Sequence, residues 1–116
     1  MKKIFVLMNV VLFLGVLISC SKKQSKEELL EYKLIKSSDL FRQKEYADAM
    51  KVCKEVLEFD SKNIIALKRL GSIYYMSDMK DKAKEIWEKV LLLDPLDTEV
   101  KEILKTVKPD QKLKKR

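Results

Sequence analysis

Apolar residues recur at helical spacing in five runs along the chain, each closed by polar or turn-forming residues. The first run carries Leu30, Leu34, Leu40 and Phe41, with Ile35 beside it, and the second Ala49, Met50, Cys53, Val56 and Leu57. The third has Ile64, Leu67, Leu70, Gly71 and Tyr74, and the fourth Ala83, Ile86, Trp87, Val90 and Leu91. A fifth, over Asp97 to Val107, puts Val100, Ile103, Leu104 and Val107 on one face. Recurrence at three and four residues predicts amphipathic helices. Ser25 followed by Glu28 has the spacing of a capping box, which predicts the first helix start. Asp94-Pro95 predicts the end of the fourth helix and Pro109 that of the fifth, because proline supplies no amide hydrogen. Glycine and proline number two each, which leaves little punctuation for strands and tight turns. The expected fold class is all-α.

The N-terminal segment follows a different pattern. Lys2 and Lys3 precede an apolar run from Ile4 to Ile18, interrupted by Asn9 and Gly15, and small Ser19 stands before Cys20. A charged start, an apolar stretch and a small residue form the order of a secretory signal. The run is shorter than the ~20 residues that span a bilayer as a helix. Leu17-Ile18-Ser19-Cys20 resembles the lipobox of bacterial lipoproteins. That resemblance implies alkylation of the Cys20 sulfur by a diacylglyceryl group and cleavage after Ser19. The expected organisation is a signal peptide over 1–19, a lipidated Cys20 with a tether over 20–25, a helical domain over 26–107 and a basic tail over 108–116. Five extended residues reach ~17 Å, so the domain is expected to sit against the membrane.

Shifting the chain by 34 residues lays the helical runs on one another. Ala49 falls on Ala83, Val56 on Val90, Leu57 on Leu91, Asp60 on Asp94, Phe41 on Tyr75 and Ser38 on Ser72. The second copy reads Leu67-x2-Leu70-Gly71-x2-Tyr74, then Ala83-x3-Trp87, then Pro95. Period and spacing are similar to those of the tetratricopeptide repeat, a helix–turn–helix unit of 34 residues. The resemblance implies a helical hairpin solenoid of two repeats plus a C-terminal capping helix. Gly71 and Ala83 are expected to be small because paired helices cross there. The first copy departs from the pattern with Lys36 for Leu70 and Ser37 for Gly71, and the second has Lys80 for Tyr46. Such departures suit a terminal repeat with one face in water. Two repeats and a cap are few for a continuous core, which points to marginal stability or to extra burial from self-association or a partner.

The formal charge of +7 is concentrated at the ends, with Lys2 and Lys3 at one and Lys108, Lys112, Lys114, Lys115 and Arg116 at the other. The body between is close to neutral, which argues against nucleic-acid binding, since such domains carry a basic face on the folded part. The chain has no histidine, no thiol–imidazole pair and no phosphate-cradling glycine loop, so an enzyme is not expected. Neither a cofactor nor a metal is expected, apart from the covalent lipid on Cys20. Cys53 lies on an apolar stripe and is expected to be buried. Trp87 and Tyr74 occupy signature positions and are expected in the core. Glu85 with Lys89 and Asp97 with Lys101 have the spacing of solvated helix pairs.

In the family that the chain resembles, the first helix of each repeat lines a concave groove. The positions this implies are Leu34, Ser38, Phe41 and Arg42 in one copy and Lys68, Ser72, Tyr75 and Met76 in the other. Aromatic, methionine and arginine side chains are frequent binding anchors. Phe41 and Tyr75 have a second reading, closure of the core between repeats. Some relatives clamp a terminal carboxylate with lysine and asparagine, but Ser38 and Ser72 stand here in place of asparagine. The basic tail is either a solvated terminus or a contact for anionic lipid. The expected function is a lipid-anchored adaptor on the periplasmic or outer face of the bacterial cell envelope, binding a protein or peptide. The alternative is a structural envelope lipoprotein that self-associates into a homo-oligomer.

Overall fold

The computed structural model describes Lys3 and residues 25–107, and all further structural statements concern those residues. The lipobox, Cys20, most of the tether and the basic tail lie outside them. The chain divides into two compact units, residues 1–32 and 33–116. In the first, residues 25–32 are helical and largely exposed. Ser25 is itself helical, and the residues that precede it lie outside the described ones.

The second unit holds α1 (residues 33–42), α2 (Tyr46–Phe59), α3 (Ile64–Met76), α4 (Lys80–Leu93) and α5 (Thr98–Thr106). From α2 onward each helix packs on the next in sequence. No strand occurs among the described residues.

The 34-residue period extends to the backbone. α1 ends with Lys44 at φ 64° and α3 with Asp78 at φ 61°. In both places the chain closes a Schellman motif: Glu45 N–H donates to Leu40 O at 2.9 Å, and Met79 N–H to Tyr74 O at 2.8 Å. Asn63 caps α3 by accepting from Ala66 N–H at 3.0 Å. Asp97 caps α5 by accepting from Val100 N–H at 2.9 Å. Each cap removes one orphan donor from a helix start. α4 stops at Leu93, where Asp94 N–H still reaches Val90 O, and Pro95 follows in the turn.

Two apolar clusters hold the unit together. Ala49 and Cys53 of α2 meet Leu70 and Ile73 of α3, with Leu40, Phe41 and Tyr46 packed against them. Leu67 of α3, Ala83, Trp87 and Val90 of α4 and Val100 of α5 form the other. Gly71 serves the crossing of α3 and α4, as its position in the repeat implies, and the group it admits is the indole of Trp87. In the first copy the corresponding pair is Ser37 and Cys53, both fully buried. Burial raises the Cys53 thiol above its ordinary pKa of 9.0, opposed by a hydrogen bond with Ser37 and by the charge of Arg69.

The departures at the chain ends face outward. Leu70 and Ile73 pack on the preceding helix, whereas their counterparts in α1 are exposed Lys36 and half-buried Asp39. On α5 the positions of Leu67 and Gly71 carry Lys101 and Lys105, both exposed. On α4 the ion pair formed is Lys84 with Glu88, at 3.7 Å, and not the expected Glu85 with Lys89. Asp97 turns away from Lys101 to Lys68 on α3, because its place at the cap points its carboxylate back across the packing seam.

Candidate functional site

α1, α3 and α5 border one open groove with two adjoining depressions. The first, of about 370 Å³, mixes polar and apolar surface and is bordered by the polar and charged side chains of Ser38, Lys68, Arg69, Ser72 and Glu99, with Ile65 at the rim. The second, of about 330 Å³, is mainly apolar and adds Tyr75, Met76, Thr106 and Val107. Phe41, Ser72, Trp87 and Ile103 border both.

Six of the eight groove positions expected from the sequence come together here: Ser38, Phe41, Lys68, Ser72, Tyr75 and Met76. Leu34 and Arg42 do not. Leu34 is half-buried, and its carbonyl accepts from Ser37 Oγ at 2.8 Å and Arg69 Nη1 at 2.9 Å. Arg42 lies on the exposed surface, paired with Asp39 one turn back. Arg42 falls at the edge of the face that Ser38 and Phe41 share, whereas Leu34 lies on that face but a turn nearer the start of α1.

Phe41 combines both readings of its position. It is half-buried, packs at 5.7 Å between ring centroids on Tyr46 and still borders the groove. Tyr75 remains 41% exposed and leans on Trp87 at 6.0 Å, and Met76 is 53% exposed. Trp87 is only 3% exposed, with its Nε1–H donating to Lys68 O at 3.4 Å. It is a core residue whose face supports the groove floor. Tyr74, half-buried, carries the Lys82 ammonium 5.8 Å above its ring.

Lys68 is already paired. Its ammonium donates to Asp97 Oδ2 at 3.0 Å and to Glu99 Oε2, both from α5. The hydrogen bond to Glu99, and after it the one to Asp97, raise the Lys68 pKa above 10.5. The Val100 amide first, then Lys68, lowers the Asp97 pKa below 3.8. Lys68 therefore fastens α5 to α3 and is not a free cation facing the groove.

The expected positions omitted Ile65, Arg69, Glu99, Ile103 and Thr106. Thr106 falls 34 residues after Ser72, so applying the repeat period to α5 would have found it. For Glu99 and Arg69 no such signal exists, since their partners come from other helices. No group of histidine, cysteine and carboxylate side chains suited to a metal occurs among the described residues.

The family model described as tetratricopeptide repeat matches residues 40–106, more than half of the chain, from the last residues of α1 through α5. With the paired helices, the 34-residue recurrence of caps and turns, and the small-residue crossing at Gly71, this match shows that the chain belongs to the tetratricopeptide repeat family, whose repeats generally mediate protein–protein interaction.

Proposed function

We propose that this chain is a lipid-anchored adaptor of the bacterial cell envelope, fixed through Cys20, that presents the α1–α3–α5 groove to a peptide segment of a partner protein. The observation that carries the binding role is Tyr75 and Met76, left exposed beside an open apolar depression. Large apolar side chains grouped at a concavity mark a binding surface. Support for the anchor comes from the order of Lys2, Lys3, the apolar run and Leu17-Ile18-Ser19-Cys20. No described helix is long and apolar enough to cross a membrane.

End-to-end stacking of copies, the simplest form of the self-associating alternative, would bring Lys36 and Asp39 against Lys101 and Lys105. Burying three cations with one carboxylate is costly. That chemistry favours the adaptor.

The test is purification of the full-length protein from its own membranes in mild detergent, followed by identification of what co-purifies in fixed ratio. The expected result is one partner, lost in the Tyr75→Ala, Met76→Ala double variant while helicity is kept. Recovery of self-oligomers alone, unaffected by those changes, overturns the adaptor reading. Release of Cys20→Ser from the membrane fraction tests the anchor, and its retention there refutes it.

A further inference from the structure

Arg69 is the one cation bordering the groove that has no carboxylate partner among the described residues. It is held firmly all the same. Nη1 donates to Leu34 O and to Ser37 Oγ, both at 2.9 Å, which fixes the guanidinium in the seam between α1 and α3. A guanidinium has five N–H donors in a planar fork. Nε and Nη2 make no hydrogen bond within the described residues, yet no buried side-chain nitrogen or oxygen lacks a partner. Both atoms are therefore open to solvent, on a side chain that borders the more polar depression.

The neighbouring hydroxyls divide in role. Ser72 Oγ spends its hydrogen on Lys68 O at 3.1 Å. Ser38, on α1 and bordering the same depression, has no hydrogen-bond partner among the described residues, so its hydroxyl is free to donate. The two walls differ in charge. At the α3–α5 seam, Lys68 with Asp97 and Glu99 leaves one net negative charge. At the α1–α3 seam, Arg69 is positive and uncompensated. An anion entering the depression is repelled from the first and attracted to the second.

We infer that the polar end of the groove binds a side-chain carboxylate of the partner peptide, held by Arg69 through Nε and Nη2 and by Ser38 through its hydroxyl. This inference rests on the groove being a peptide site. The ligand is an acidic residue coupled to a large apolar one, since the more polar depression adjoins the apolar one floored by Phe41, Tyr75, Met76 and Ile103. From Arg69 to Met76 the rise along α3 is about 10 Å, at ~1.5 Å per residue. A peptide in the polyproline II conformation covers ~9 Å in three residues, at ~3.1 Å each, and its three-residue turn brings the side chain at i+3 back to the same face. The carboxylate and the apolar side chain are thus three positions apart. Lys68, whose charge is spent on α5, does not bind the anion.

A bead library of N-acetylated, C-amidated hexapeptides tests this, probed with the full-length protein in detergent micelles. Capping both termini leaves side chains as the only carboxylates. Expected binders carry Asp or Glu three positions from a large apolar residue. Changing that Glu to Gln should weaken the resynthesised peptide about tenfold on the unaltered protein, the size of a charge-assisted hydrogen bond, and about twofold or less on Arg69→Gln. Ser38→Ala, which leaves the Arg69 anchor intact, should narrow the gap to about threefold. On the unaltered protein, the Arg69 Nε–H resonance should move with the Glu peptide and stay with the Gln peptide, a readout that stands even where Arg69→Gln loses helicity. Binders selected for apolar residues alone, a gap unchanged by Arg69→Gln, or a stationary Nε–H resonance overturns the inference and leaves the groove in place. An absence of any selected binder overturns the groove reading with it.

Discussion

Gly71 lies directly under the indole of Trp87, so close that a Cβ at position 71 would stand 2.6 Å from Cδ1 and 2.8 Å from Cε2, and nearer still to Nε1. Both residues sit in the middle of their helices, where the atoms have no room to give way. Gly71→Ala is expected to lower stability by at least ~2 kcal/mol through overpacking, despite the better helix propensity of alanine. The first copy meets the same crossing with Ser37 and Cys53, an inverse choice of sizes. Gly71→Ser combined with Trp87→Cys should therefore be less damaging than the sum of the single changes. Urea unfolding in a double-mutant cycle checks this, and strict additivity would refute the coupling.

Lys44 and Asp78 hold the left-handed conformation that closes α1 and α3. Residues with a Cβ spend roughly 1–2 kcal/mol there, and Asp less than most. Part of the gain from glycine is returned as unfolded-chain entropy. Lys44→Gly should stabilise by about 0.5–1 kcal/mol and Asp78→Gly by less, while Asp78→Val should destabilise. Thermal midpoints of the three variants decide it, with the ranking as the critical result.

The junction of α3 and α5 is sensitive to pH at both extremes. The Asp97 carboxyl is held below its ordinary 3.8, mainly by the Val100 amide and next by Lys68. Its stabilisation is complete above that ordinary value and is lost as pH falls through the lower folded-state value. Lys68 is raised above 10.5, chiefly by Glu99, so its contribution is complete below 10.5 and disappears as pH climbs through the folded-state value. Asp97→Asn keeps an oxygen to cap α5 but loses the charge, so its stability should fall less steeply on acidification. Asp97→Ala loses the cap as well, a further ~1 kcal/mol at neutral pH. Denaturant midpoints between pH 2 and 7 separate the two. Equal slopes for Asp97→Asn and the unaltered protein would remove the role given to the charge.

The two cysteines report on anchor and core together. Cys53 is fully buried, and its pKa is raised by that burial, so it should react slowly with a thiol reagent in the folded protein. Protein taken from its membranes should show no fast-reacting thiol, and one after unfolding in urea, because lipid occupies the Cys20 sulfur. Two thiols after unfolding would exclude thioether lipidation, and a fast thiol in the folded state of Cys20→Ser would contradict the burial of Cys53.

Much of the fold was legible in the chain because its causes are local and repeated. The helix pattern of Ala49, Cys53 and Val56 recurs as Ala83, Trp87 and Val90, and Asp94-Pro95 ends α4 as its chemistry requires. In the groove, residues one helix face apart, such as Ser72, Tyr75 and Met76, could be found from periodicity alone.

The sequence by itself therefore determined the helices, their pairing at a 34-residue period, and the small residue each crossing demands, because these follow from spacing along one chain. Only the tertiary structure decided which charges remain available. Lys68 and Arg69 are neighbours in sequence and alike in formal charge, but α5 delivers Asp97 and Glu99 to one while α1 offers the other a carbonyl and a hydroxyl. Those partners come from helices on opposite sides of α3, and no periodicity within a single helix encodes which side chains packing will bring within a few ångströms.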